Sequence, residues 1–307
     1  MAIGERPRAT EPLGGAGSPF LLSVALVTRN RPASLERTLS SLRAQSVQPG
    51  EVLVSDDSDP SMAREVEALC ERYGCRYVRG PRRGLYANRN HAALRCAGTH
   101  IRTMDDDHEF PAGHMEACAR AVRGAPGAVW IIGERMPGDP PGREWVCPPQ
   151  LHPRGFSTTP RPGERIWAIA DGAAIYPREI FDRGQRFYEG FVFGASYLEW
   201  GSRLWHLGYE IRHLSETYVI HHAVPGGRSY EDPLNDAAAR LFAGLCHSFI
   251  YQRTWRNMTL TLGEMALTVL RSPRTGWRAD LAAVRAFARR RAGGAEEEGA
   301  DLVRAGT

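Results

Sequence analysis

Three consecutive carboxylates, Asp105-Asp106-Asp107, follow the apolar segment 101–104 and are the strongest chemical signal in the sequence. Like charges that share one site raise one another's pKa, and a bound cation removes that cost. Hard divalent ions such as Mg²⁺ and Mn²⁺ take carboxylate oxygens and keep positions open for phosphate oxygens. The cluster therefore predicts a site for Mg²⁺ or Mn²⁺, and a solvated acidic turn is the alternative for this motif alone.

Apolar segments typical of buried strands alternate with amphipathic segments typical of helices over the first third of the chain. The predicted strands are 21–27, 51–54, 75–79 and 101–104, and the predicted helices are 34–44, 62–73 and 88–96. Such alternation predicts a parallel sheet covered by helices, with ligands at the carboxyl ends of the strands. Thr28, Asp56 and the carboxylates 105–107 each follow a strand, so we expect them to be neighbours.

The rest of the chain is less regular. Prolines are dense between residues 124 and 172, which predicts a long irregular excursion with edge strands at most. Further along, the patterns predict order over 167–176, a helix over 197–207 that stops at Gly208, and a strand over 218–222. Two helical stretches, 233–271 and 276–291, follow.

The composition excludes several classes of protein. The chain has 307 residues, of which 42% are hydrophobic and 24% charged, so collagen-like, disordered and coiled-coil proteins are excluded. A net charge of +4 is too mild to indicate a nucleic-acid-binding protein, so we expect no nucleic-acid partner. All basic residues other than histidine are arginines, which excludes mechanisms that need a Schiff-base or P-loop lysine.

The six cysteines show no C-x-x-C spacing, and no secretory signal or membrane-spanning run is recognisable. These features predict buried thiols in a reducing cytoplasm.

Six segments, taken in order, resemble the inverting glycosyltransferases of family 2, which have the GT-A fold. They are residues 23–32, 54–58, 84–90, 104–107, 171–178 and 187–209. The resemblance covers residues 21 to about 230. It implies an α/β fold with a Rossmann-like, mostly parallel sheet flanked by helices, and a C-terminal helical extension.

This resemblance also implies a division of the chain. We expect a disordered tail over 1–19 and a glycosyltransferase domain over 20–232. Its nucleotide-binding half is 20–110, and its acceptor and catalytic half is 125–232. A helical region over 233–292 and a flexible tail over 293–307 complete the chain.

The family motifs assign roles to individual residues. The implied nucleotide-binding residues are Thr28, Asn30, Asp56, Arg89, Asp105 and Asp106. The implied ligands of Mn²⁺ or Mg²⁺ are Asp105, Asp107 and His221. The implied donor-sugar or acceptor residues are Asp171, Gly172 and Arg228. His221 and His222 are adjacent on a strand and point to opposite faces, so we expect one at the metal and favour His221.

Two positions depart from the family pattern. Arg29 replaces the usual tyrosine, and Ser196-Tyr197 replaces the Glu-Asp pair whose aspartate is the usual general base. Inverting transfer needs a carboxylate that takes the proton of the acceptor. Glu199 is the best candidate in this segment and Asp171 the second, whereas an ordinary i,i+4 ion pair between Glu199 and Arg203 is the alternative.

The resemblance implies metal-dependent transfer of a sugar from a nucleoside-diphosphate sugar to an acceptor hydroxyl with inversion. UDP-, dTDP- and GDP-linked donors remain open, as do glycan, lipid-linked and small natural-product acceptors. A binding module that has lost its base is one alternative. Nucleotidyl transfer to a sugar phosphate is another, disfavoured because the loop after the first strand, 28–32, has no glycine.

The C-terminal helices allow two interpretations. Trp255, Arg256, Phe287 and the run Arg289-Arg290-Arg291 could form a membrane-surface patch that brings the enzyme to a lipid-linked acceptor at the inner face of the membrane. Packed helices with a solvated basic end are the other interpretation, and the sequence favours it.

Overall fold

The computed structural model describes residues 21–139, 150–151, 157–158, 166–169, 172–191, 196–222 and 233–304. The predicted disordered tail over 1–19 and about half of the proline-rich middle over 124–172 lie outside these residues.

The first third of the chain folds as the predicted strand–helix alternation. Its elements are β1 (Leu22–Thr28), α1 (Pro32–Arg43), β2 (Glu51–Asp56), α2 (Pro60–Tyr73), β3 (Arg76–Arg79), α3 (Leu85–Ala93) and β4 (His100–Asp105). β1 pairs in parallel with both β2 and β4, and all seven of its residues are buried, which explains its continuous apolar run. In this register Thr28 lies opposite Asp56, and Val27 lies opposite Asp105.

The second part of the chain completes the sheet. Its elements are β5 (His108–Glu109), α4 (His114–Gly124), β6 (Val129–Arg135), β7 (Gln150–Leu151), β8 (Ser157–Thr158), β9 (Ile175–Pro177), α5 (Glu179–Asp182), α6 (Ser196–His206) and β10 (Ile211–His221). The eight-stranded sheet has the order β3-β2-β1-β4-β9-β6-β10-β5. β9 is antiparallel to β4 and β6, and β5 is antiparallel to β10, so the sheet is mixed around a parallel majority. β7 and β8 form a separate ribbon.

Strand β6 corrects the expectation of an irregular excursion with edge strands after residue 124. It lies inside the sheet between β9 and β10, and Val129, Ile131 and Ile132 are buried there. The local sequence of β6, a short apolar run followed by many prolines, does not show whether the strand is central or at an edge. Its central position depends on pairing with β10, which lies about eighty residues later in the chain.

A helical region follows the sheet. It comprises α7 (Pro233–Cys246), a π-helical turn over His247–Tyr251, α8 (Trp255–Arg271) and α9 (Pro273–Arg304). α9 continues to Arg304, beyond Gly293 where the sequence predicts a flexible tail. The rings of Tyr188 and Phe242 stack with centroids 4.4 Å apart and join this region to the domain before it.

Among the described residues, no helix is both long and apolar enough to cross a bilayer. The five cysteines within the described parts are free thiols, and four of them, Cys70, Cys96, Cys118 and Cys246, are buried.

Two helical glycines provide a test of the packing around α6. A Cβ on Gly201 would lie 2.5 Å from the carbonyl oxygen of Trp167, whereas a Cβ on Gly263 in α8 would meet open space. We expect Gly201→Ala to destabilise the fold by about 1–3 kcal/mol through overpacking against backbone. Gly263→Ala should instead stabilise it by up to about 1 kcal/mol through helix propensity. Urea unfolding of both variants measures the difference, and equal effects would contradict the close approach of α6 to residues 166–169.

Candidate active site

The acidic cluster lies at the carboxyl end of β4, beside the loop that follows β1. Asp106 is fully buried and accepts a hydrogen bond from Thr28 Oγ1 at 2.6 Å. Arg31, to which the sequence assigns no role, pairs with Asp106 and donates to Asp107 Oδ2 at 3.0 Å. Burial raises the pKa of Asp106 to about 7 although Arg31 opposes the shift. The expected meeting of Thr28 with the carboxylates is therefore present, with Arg31 as their counterion.

Asp107, His108 and His221 form a group that could hold a metal ion. One ligand atom from each lies within 4.8 Å of the others. Asp107 Oδ1 and both ring nitrogens of His108 are buried without a hydrogen-bond partner among the described residues. Oxygen and imidazole nitrogen donors that lack partners fit a divalent ion of the Mn²⁺ type. His108 was not among the predicted ligands, although its position directly after the three aspartates is a signal.

The two adjacent histidines of the β10 end separate as strand geometry requires. His221 faces the cluster, with Nε2 3.6 Å from Asp107 Oδ2, whereas His222 Nε2 lies 2.7 Å from Glu109 Oε2. Glu134 at the end of β6 is a further partner, 2.9 Å from His221 Nδ1, and was also missed.

Burial and neighbouring charges together set the pKa values of Asp107, His108 and His221. Burial lowers the pKa of His108, which favours the neutral ring that ligates metals. Burial would also lower the pKa of His221, but the Asp107 carboxylate at 3.6 Å and the hydrogen bond and charge of Glu134 raise it to about 10. Burial would raise the pKa of Asp107, yet His221, His108 and Arg31 hold it well below the usual range.

Asp105 was predicted to be a metal ligand, but its carboxylate is paired with Arg89 instead. Its two oxygens accept from Arg89 Nη2 at 2.7 and 2.8 Å, and it is not a member of the group of possible ligands. Gly172 lies against it, because a Cβ there would be 2.9 Å from Asp105 Oδ2 and 3.4 Å from His108 Cε1. Arg89, Asp105 and Gly172 are thus brought together, whereas Asp171 and Arg228 lie outside the described residues.

Asp56 lies at the adjacent strand end in a polar pocket. It is fully buried and accepts hydrogen bonds from Ser58 N at 2.7 Å, from Tyr77 Oη at 3.0 Å and from Arg79 Nη1 at 2.7 Å. Asn30 joins the loops after β1 and β2, since its side chain exchanges hydrogen bonds with Asp59. Tyr77 and Arg79 lie on β3, and nothing in their local sequence indicates that they meet Asp56.

Glu199 occupies a closed ionic cluster at the junction with the C-terminal helices. Its carboxylate is fully buried and accepts from Arg203 Nε and Nη2, each at 3.0 Å. Tyr251 Oη also donates to it, and Arg290 Nε lies 3.6 Å away. Burial would raise the pKa of Glu199, but the charges of Arg203 and Arg290 outweigh this and lower it. The structure therefore has the i,i+4 ion pair between Glu199 and Arg203 that the sequence offered as the alternative to a general base. Tyr251 and Arg290, which are distant in sequence, add to this pair.

The chain is similar to known glycosyltransferases in sequence and in fold. A model described as "Glycosyl transferase family 2" matches residues 23–184. "Uncharacterized glycosyltransferase YwdF" of Bacillus subtilis (strain 168) is 30% identical over 105 residues, which are 34% of this chain and 39% of that protein. The aligned part thus spans less than half of that relative.

Solved structures share the fold at low identity. S. aureus TarS 1-349 in complex with UDP-GlcNAc has a TM-score of 0.59 and 13% identity, over 87% of this chain and 89% of that one. GalNAc-T7 with UDP, GalNAc and Mn²⁺ has a TM-score of 0.59 and 17% identity, over 69% of this chain and 45% of that one. The shared architecture is the GT-A fold.

Proposed function

Because the chain belongs to glycosyl transferase family 2 and is a glycosyltransferase, we propose that it moves a sugar from a nucleoside-diphosphate sugar to an acceptor hydroxyl with inversion. The observation that carries this proposal is the meeting of Thr28, Arg31 and the carboxylates 105–107 with His108 and His221 at one sheet edge. Solved structures with this fold bind UDP or UDP-GlcNAc, which supports a nucleotide-sugar donor.

Asp107, His108 and His221 would hold a divalent ion, Mn²⁺ or Mg²⁺, which when bound neutralises the charge of the leaving diphosphate. Around it, Arg31 holds Asp106 and Asp107 in place. Arg89 fixes Asp105 by contacts to both of its oxygens, and Asp56, which the family resemblance assigns to the nucleobase, is held by Ser58, Tyr77 and Arg79. These side chains are restrained before the donor arrives, so little ordering is needed on binding.

In the proposed reaction the acceptor oxygen attacks the anomeric carbon, and the bond from that carbon to the diphosphate oxygen breaks. The electron pair leaves with the nucleoside diphosphate, and the proton of the acceptor passes to a carboxylate. Glu199 is already engaged by Arg203, Tyr251 and Arg290. We therefore assign the proton to Asp171, whose chain neighbour Gly172 lies against Asp105.

A thermal-shift panel of UDP, dTDP and GDP, each with and without Mn²⁺, tests the donor site. A ligand at about 100 times its dissociation constant adds roughly 2.7 kcal/mol of stability, which a melting curve resolves. We expect a metal-dependent shift with one of the three. ADP, which carries the same diphosphate on a base outside this set, is the matched control. No shift with any of the three in folded protein would contradict the proposal.

A further inference from the structure

Helix α8 presents an apolar stripe to solvent. At about 100° per residue, Trp255, Leu262, Ala266 and Leu270 fall within roughly 80° of one another around the helix. All four are exposed, Trp255 by 84% and Leu270 by 74%. The opposite side carries the buried Thr261. A helix at the surface of a soluble protein normally turns its large apolar side chains toward the core. In α8 these side chains point to solvent instead.

Helix α9 repeats the arrangement. Its inward face is formed by Ala279, Ala283 and Ala286, which are buried in the cluster that includes α7. Its large residues Trp277, Leu281 and Val284 fall within about 60° of one another and are exposed. Small residues thus make the internal contact while large ones face outward. α8 and α9 also touch directly, since a Cβ on Gly276 would lie 2.5 Å from the carbonyl oxygen of Thr268.

Positive charge accompanies both stripes. Residues 253–291 contain nine arginines and two acidic residues, a net charge of +7 in a chain whose total is +4. Eight of these arginines are exposed; they are Arg253, Arg256, Arg271, Arg274, Arg278, Arg285, Arg289 and Arg291. Exposed tryptophan and leucine beside arginine are typical of helices that lie in the interface of an anionic bilayer.

We propose that the outer faces of α8 and α9 form a docking surface for a membrane that contains anionic phospholipids. A second copy of this chain would bring two faces with exposed arginines together, and they would repel. A nucleic acid would neutralise the arginines but leave the apolar stripes in water. An anionic bilayer satisfies both features, because headgroups pair with the arginines while Trp255, Leu270 and Trp277 enter the acyl boundary. This inference is independent of the proposed sugar transfer.

Vesicle flotation of the full chain tests the surface without any activity measurement. We expect binding to mixed phosphatidylglycerol–phosphatidylcholine vesicles, weak binding to pure phosphatidylcholine, and a decrease with added salt. The charge variant Arg256→Glu/Arg274→Glu/Arg278→Glu should bind about 100-fold more weakly, because each basic residue near an anionic surface contributes roughly a five-fold change in partitioning. The apolar variant Trp255→Ser/Leu270→Gln/Trp277→Gln should lose at least about 10-fold, since each methylene contributes roughly four-fold.

The matched control is Arg64→Glu/Leu94→Gln, which makes the same kinds of change at exposed positions of the nucleotide-binding half. It should bind vesicles as the parent chain does, and thermal melts confirm that all variants are folded. Absence of binding to anionic vesicles by the parent chain would overturn the proposal. So would equal binding by the apolar variant, or a dimer in light scattering that the apolar variant abolishes while no vesicles are bound.

Discussion

Asp107→Asn lowers turnover by about 10²- to 10³-fold, the range found when an essential electrostatic group is removed from an active site. The substitution keeps the shape of the side chain but removes a negative charge from the group Asp107, His108 and His221. The remaining two imidazoles bind a hard divalent ion poorly, because such ions prefer carboxylate oxygen. Initial rates of nucleoside-diphosphate release across a Mn²⁺ titration measure the effect, with the donor that the thermal-shift panel identifies.

Asp182→Asn is the matched control for this prediction. Asp182 is an exposed aspartate whose i,i+4 pair with Arg178 is a surface contact worth little. It should retain the parent rate and metal dependence. Full metal-dependent turnover by Asp107→Asn would contradict the proposal that Asp107, His108 and His221 bind the metal. If the Asp107→Asn protein shows no melting transition, it has failed to fold, and the lower turnover does not report on a lost ligand.

Glu199→Gln destabilises the protein by about 3–5 kcal/mol, the usual effect of removing one member of a buried ion pair. Without the negative charge, Arg203 and Arg290 keep their charges in a largely buried site, and only one oxygen remains to accept the hydrogen bonds of Arg203 and Tyr251. Urea unfolding provides the measurement. The matched control is Glu116→Gln, whose i,i+4 partner Arg120 is exposed, and it should change stability by less than about 0.5 kcal/mol.

The pH dependence of this stabilisation has a definite sign. Because the folded pKa of Glu199 lies below the ordinary value of 4.5, its contribution is present above that pH and disappears as the pH falls through the folded pKa. The stability gap between the parent and Glu199→Gln should therefore narrow in acid.

The same variant separates the two interpretations of Glu199. If Glu199 were the general base, Glu199→Gln would abolish turnover and leave stability nearly unchanged. We expect that pattern from Asp171→Asn instead. A general base works best when its pKa lies near the working pH. The pKa of Glu199 is instead lowered by the charges of Arg203 and Arg290.

The sequence alone determined the fold class and the position of Thr28 next to both Asp56 and Asp106 at one edge of the sheet. These features depend on local patterns, because a buried apolar strand is recognisable by itself and parallel strands place their carboxyl ends at one edge. The family motifs extended this to His221, whose neighbour His222 points away because strand residues alternate. The central position of β6 was not predictable in this way, since its partners β9 and β10 are remote in sequence.

Only the tertiary structure decided which charges meet. Arg31 reaches Asp106 and Asp107 from a loop some 75 residues earlier, and Glu134 reaches His221 from another strand. Glu199 has the spacing of a family carboxylate, yet Tyr251 and Arg290 close over it from later helices. The outward stripes of α8 and α9 are likewise visible only once the alanine face of α9 is seen buried beside α7. Periodicity finds an apolar face, but which of two faces is buried depends on contacts between distant segments.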